Sequence, residues 1–263
     1  MSSFQSTSYY LWQNGFRIVE GQASCRADVA ESWRVQEGTM RGRQEHMHRW
    51  VQSCSQVLGM QIGGLARQVF EAALEQLPRH GDWFPRLDLH LEPSPHFNLQ
   101  IRPCPELKTV LRLDPHGWDD PRQYPARKGP DLNRLADLRQ KSLQSGFDEG
   151  FLISGHHIIS EGIYCSFIWW RDGQCYRTAP SIATLPGITL SLLECLSTTI
   201  GIKLQHGILR TDELFAGPLW ACNALHGLME VSHIGTTALP RNPTDLIRWR
   251  QALQSTQRPL TET

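Results

Sequence analysis

The sequence is short of the features that assign a protein quickly, and each shortage excludes something. It has no CxxC pair: the seven cysteines, at 25, 54, 104, 165, 175, 195 and 222, are scattered and odd in number. That argues against a zinc ribbon or a disulfide framework and for reduced thiols in a cytosol. It has no excess of charge, since 26 basic residues balance 26 acidic ones. No global field therefore draws the chain to nucleic acid or to an anionic membrane. No apolar run approaches the roughly 18 residues of a membrane span. The opening MSSFQSTSYYLWQNGF lacks the basic stretch and apolar core of a signal peptide. Repeats and low-complexity tracts are absent as well. The close histidine pairs His46/His48 and His156/His157 have no third ligand spaced to join them, so no metal site is expected.

What is present suits a cytoplasmic two-domain protein, for which 263 residues leave room. The first part reads as α+β. Phe16–Val19 and Ser32–Val35 are strand-like, the latter followed by a turn at Gln36-Glu37-Gly38. Helices are expected over 44–58 and 64–77, where Leu65, Val69, Phe70, Ala73, Leu74 and Leu77 recur at helical spacing. Residues 86–91, 97–101 and 109–113 alternate like strands. The proline-rich stretch DPHGWDDPRQYPARKGP reads as the junction. The expected division is a smaller α+β domain over 1–120, a linker over 121–130, and a larger domain over 131–263. The second part opens with a helix from Asp131 to Gly146. Strands follow at 151–153 and 158–159, with a long apolar strand at 163–170 and a hairpin turn at Arg171-Asp172-Gly173. A helix over 188–199, strands at 203–208 and 219–225, and a final helix over 244–253 complete the reading.

Five landmarks stand in order along this framework: Arg34-Val35-Gln36-Glu37-Gly38 with His46-Met47-His48-Arg49; Lys128 just before the helix at Asp131; Ser160-Glu161-Gly162; Leu185-Pro186-Gly187-Ile188-Thr189; and Ala221-Cys222-Asn223-Ala224-Leu225. Each is weak alone, because a surface arginine, a linker lysine, a turn glutamate, a capped helix and a strand end are all common. In this order and spacing they resemble the class IV aminotransferase family, from about Ala27 to about Val231. The nearest likeness is to aminodeoxychorismate lyase, through the segment at 221–225.

The resemblance implies an α/β enzyme of the pyridoxal-phosphate fold type IV, with an α+β first domain and a larger α/β-barrel-like second one. Lys128 would carry pyridoxal 5'-phosphate as a Schiff base and act as the base at Cα. Arg49 would grip the cofactor phosphate with its guanidinium fork, helped by the helix start at Gly187, Ile188 and Thr189, with Asn223 and Ala224 nearby. Glu161 would face the pyridine nitrogen. Ala30, Trp33 and Tyr164 are candidates for the substrate pocket, though the last two could equally be core aromatics. Ser166 and Leu190 replace the family's usual asparagine and arginine, and Asp131 and Asn133 flank the place of another asparagine. The implied activity is elimination from aminodeoxychorismate to p-aminobenzoate and pyruvate. Alternatives are transamination of D- or branched-chain amino acids, or a binding role on an inactive copy of the fold. The resemblance further implies a small amino substrate and a homodimer. Arg122 and Arg127 are the arginines nearest the junction that could meet a substrate carboxylate.

Overall fold

Alternation along short strands sets the layers of the first unit. In the computed structural model, which describes residues 6–20 and 26–260, residues up to 107 join with 127–132 and 256 onward in one unit, while 108–126 and 133–255 form the other. The division therefore interleaves the chain instead of falling at 120, and the expected linker is shared between units. Cys25 lies outside the described residues; the six described cysteines are unpaired.

The first unit holds a five-stranded antiparallel sheet in the order 16–19, 8–12, 96–101, 86–90 and 29–32. In Arg86-Leu-Asp-Leu-His90, Leu87 and Leu89 enter the core, as do Phe97, Leu99 and Ile101 opposite. Asp88 and Gln100 occupy the other face, where they bond to each other. Helices α1 (Arg43–Leu58) and α2 (Gly63–Gln76) cover the apolar face. The indole of Trp50 donates to the Ala66 carbonyl at 2.9 Å, tying the two helices together. The turn expected at Glu37-Gly38 is present, with both residues at positive φ, and joins strands 35–36 and 39–41.

Strand 29–32 is the outer edge of the large sheet. Its free side is covered by the segment around Lys128, whose carbonyl accepts the Ala30 N–H at 2.8 Å. Gly129 makes this approach possible: it sits at φ +146, and a Cβ there would lie 2.8 Å from the backbone of Asp28 and Val29. Part of the proline-rich stretch is thus docked chain.

The second unit contains a seven-stranded sheet and a four-stranded one, both mixed. With α3 (Leu132–Gln144), α4 (Ile188–Thr199) and α5 (Pro243–Gln254), the α/β class holds. The earlier part of the proline-rich stretch is structured as well: Trp118–Asp119 pairs in parallel with Leu152–Ile153. The long strand expected at 163–170 is shorter, Ser166–Arg171. A turn in which the Gly162 N–H donates to the Cys165 carbonyl removes residues 163–165 from the ladder. Strand Gly227–Ile234, which no alternation announced, is central to the larger sheet and mostly buried. Trp170 and Trp220 pack edge-on at 4.0 Å against a core shared with α4 and α5.

Candidate active site

In the first unit the chemistry centres on a buried carboxylate. Period two places Glu31 on the core side with Val29, and it is 1% exposed. A carboxylate so placed must be paired and hydrogen-bonded, and α1 provides the partners. Arg49 donates from Nε to Oε2 at 2.9 Å and from Nη2 to Oε1 at 2.6 Å. His46, one turn earlier on the same helix face, lies with Nδ1 2.8 Å from Oε1. The Ser32 N–H adds a bond to Oε1 at 3.1 Å. Burial alone would raise the pKa of Glu31, but Arg49 and His46 outweigh it and hold the carboxyl far below its ordinary range. Burial lowers the pKa of His46, so at neutral pH the ring is uncharged. Because a carboxylate only accepts, its proton belongs on Nδ1.

Lys128 lies beside this cluster through its backbone bond to Ala30. Loss of water lowers its pKa most; Glu31 raises it, and Arg49, Arg86 and Arg102 lower it again, leaving it at about 8. An amine in that range is partly neutral at physiological pH and can act as a nucleophile or base.

The second unit holds a different carboxylate cluster. Glu161, on strand Ile158–Gly162, is 5% exposed and accepts from Arg122 Nη1 and, at 3.0 Å, from the Leu185 N–H. Both bonds fall on Oε1. Arg122 also clasps Asp120, Nε to Oδ1 at 2.8 Å and Nη2 to Oδ2 at 2.6 Å. Burial raises the pKa of Glu161, Arg122 and the Leu185 N–H pull it back, and Asp120 adds to the rise.

The Leu185 N–H leads directly into the Gly187–Thr189 turn. Helix α4 starts there with Gly187 as N-cap and no side-chain cap bond, while Ile188 and Thr189 are buried. First-turn N–H groups have no partner within a helix, so this uncapped start suits an anion. A Cβ at Gly187 would come within 2.8 Å of Ser166 Oγ. Leu190 is 4% exposed in the core and offers no charge to the turn.

The other candidates fall outside these clusters or serve the scaffold. Trp33 is fully buried, its ring 5.1 Å from Phe70, which makes it a core aromatic. Ala30 is buried and contributes its N–H to the Lys128 segment. Tyr164 is 37% exposed with the Arg139 guanidinium over its ring. The Asn223 side chain shapes its own turn, accepting from the N–H groups of Leu225 and His226 and donating to the Tyr164 carbonyl. Ala224 lies in that turn. His156 and His157 form an exposed turn at positive φ, and among the described residues no group of three or more His, Cys, Asp or Glu could hold a metal. No helix there is long and apolar enough to cross a membrane. One residue given no role from the sequence is prominent: Glu31, an acid at an inward strand position, which is a readable signal. Arg122, a candidate for a substrate carboxylate, has its guanidinium on Asp120 and on Glu161, 39 residues away.

A family model described as amino-transferase class IV matches residues 28–234. No curated protein matches the chain. Solved structures do. A branched-chain aminotransferase from Thermoproteus uzoniensis, solved with norvaline, superposes with a TM-score of 0.78 at 16% identity, over 97% of this chain and 100% of that one. A hypothetical aminotransferase from Mycobacterium tuberculosis, in its pyridoxal-phosphate-bound form, gives 0.71 at 16% identity over 95% and 98%. The branched-chain amino acid aminotransferase from Escherichia coli gives 0.76 at 16% identity over 94% of each chain. At these identities the likeness is one of fold.

Proposed function

Since the chain belongs to the class IV aminotransferase family, we propose that it is a pyridoxal-phosphate-dependent enzyme that removes the Cα proton of a small amino substrate. The observation that carries this reading is Lys128, a half-buried amine with its pKa brought to about 8. At pH 7 roughly one such amine in ten is neutral, against one in several thousand for an ordinary lysine.

The donor set suits the cofactor. Lys128 supplies an amine for its aldehyde. The uncapped turn at Gly187, Ile188 and Thr189 supplies N–H groups and a hydroxyl for its phosphate. Glu161 keeps Oε2, which accepts no bond among the described residues, for a ring N–H. When bound, pyridoxal phosphate would supply the electron sink that makes a Cα proton removable. Arg49 contributes positive charge while its Nε–Nη2 edge stays on Glu31, which differs from a fork turned fully to a phosphate. Neutral Lys128 takes the substrate proton and can return it. Arg122 keeps Glu161 in place and favours its ionised form, so that a ring proton is held rather than taken. Asn223 fixes the turn that carries the Ala224 N–H.

Within this class the favoured activity is 4-amino-4-deoxychorismate lyase, on the Cys222-Asn223-Ala224-Leu225 segment. Transamination of D- or branched-chain amino acids is the second reading, favoured by the departures around Lys128 and by Leu190 after Thr189. A homodimer in the cytoplasm belongs to the same proposal. The test is product analysis with added pyridoxal phosphate. Pyruvate release from aminodeoxychorismate supports the lyase, whereas amino transfer from a panel of L- and D-amino acids to a 2-oxo acid supports a transaminase. Neither product, from folded protein that takes up the cofactor, would overturn the enzyme reading and leave a binding role.

A further inference from the structure

We propose that Glu31 is a positioning residue of this site: its carboxylate fixes the Arg49 guanidinium edge-on and sets a buried negative charge beside the Lys128 segment. The inference rests on the reading of Lys128 as the reactive amine and adds the residue that governs its surroundings.

Three observations support it. First, the carboxylate is bound on both oxygens by groups from two elements: the Ser32 N–H on its own strand, and His46 and Arg49 on α1. A guanidinium held by two parallel bonds cannot turn about its own axis. Second, the core does not need a charge here. A buried ion pair replaced by well-packed apolar residues is often no less stable, and Val29 on Glu31's own strand and Met47 on α1 belong to the apolar core. Third, the Lys128 segment is docked on Glu31's own strand through the Ala30 N–H at 2.8 Å.

The charged groups acting most strongly on Lys128 are Glu31, Arg49, Arg86 and Arg102. Arg86 is bonded in turn to the buried carboxylate of Asp88 at 2.7 Å, which also acts on Arg102, so Glu31 and Asp88 together answer the three guanidinium groups. The remaining titratable neighbours of Glu31 add no negative charge: His46 is neutral, and the buried Cys54 thiol is pushed up and stays protonated. Without Glu31, Lys128 would lose the carboxylate that acts on it most strongly.

The experiment is competitive acetylation of the full cofactor-free chain across pH, with the Lys128 peptide quantified by mass spectrometry and thermal unfolding recorded in parallel. The wild type should titrate near 8. Glu31→Asp, which keeps the charge, should hold that midpoint, and Glu31→Gln should lower it by about one pH unit. An unchanged midpoint in folded Glu31→Gln would overturn the proposal, because a merely structural glutamate would alter the melting temperature without moving the titration. If that variant does not fold, Glu31→Gln with Arg49→Gln replaces the whole pair. Its midpoint should still fall, because Glu31 acts on Lys128 more strongly than Arg49 does. A midpoint at or above the wild type, or failure of both neutral variants to fold while Glu31→Asp folds, would assign Glu31 to the scaffold. No cofactor enters this test, so its failure is distinct from failure to bind pyridoxal phosphate.

Discussion

Each unit contains a buried carboxylate clasped by an arginine, and the two are built differently. Glu31 is bound on both oxygens and driven well below the ordinary carboxylate range. Glu161 is bound on Oε1 alone, and burial leaves its pKa raised. Arg49 gives Glu31 two parallel bonds, whereas Arg122 gives Glu161 one and Asp120 two. The same pair of residue types thus yields a closed pair in one unit and a carboxylate with accepting capacity left in the other. A group meant to bind something must be left incompletely satisfied, and a group meant to hold its neighbours must not.

The largest effect should come from opening the closed pair. Arg49→Ala leaves Glu31 buried against a neutral histidine and should cost about 3–5 kcal/mol of stability, measured by urea unfolding. Arg122→Ala should cost less, about 1–3 kcal/mol, because Glu161 keeps the Leu185 N–H and readily takes a proton. Equal losses would erase the distinction. Next, Glu161→Gln should reduce turnover roughly 100-fold, equivalent to about 2.7 kcal/mol of barrier, with little change in unfolding. A folded variant of unaltered turnover would remove Glu161 from the site. Smaller again is Gly187→Ala. Its backbone, at φ −69, accepts alanine, but the added Cβ meets Ser166 Oγ. Half-saturation by pyridoxal phosphate should weaken by at most about tenfold, and Ser166→Ala should restore it.

The smallest effect lies in pH dependence, and its sign separates the two carboxylates. A raised folded-state pKa favours the fold below the unfolded value, and that advantage fades as pH rises through the folded one. The melting-temperature difference between the wild type and Glu161→Gln should therefore grow as pH drops from 7 to about 4. Glu31 has the opposite sign: its contribution is complete above the unfolded value of about 4.3 and disappears only well below it. The difference between the wild type and Glu31→Gln should accordingly stay flat from pH 7 to 5. Parallel curves for the two variants would contradict the comparison.

Local pattern carried the helices: α1, α2, α4 and α5 begin and end within a residue or two of what apolar spacing and turn residues suggested. Strand 227–234 escaped because consecutive Leu228, Met229, Glu230 and Val231 are all buried, so no alternation marks it. Glu230 is accommodated by a bidentate bond to Arg241. The docking of the Lys128 segment depends on a backbone bond to a strand nearly a hundred positions earlier, which proline and glycine content cannot reveal. The clustering of Arg122 with Glu161 was invisible for the same reason. Glu31 could have been found, since an acid in phase with Val29 and Trp33 must either break the strand or find a buried partner.

Lys128 is proposed as the cofactor's anchor. Its most direct test is borohydride reduction of the protein with pyridoxal phosphate, followed by peptide mapping of the wild type and Lys128→Ala. A phosphopyridoxyl label is expected on the peptide containing Lys128 and should be lost in the variant. A label on Lys108, Lys141 or Lys203 instead, or one of equal yield in Lys128→Ala, would contradict it.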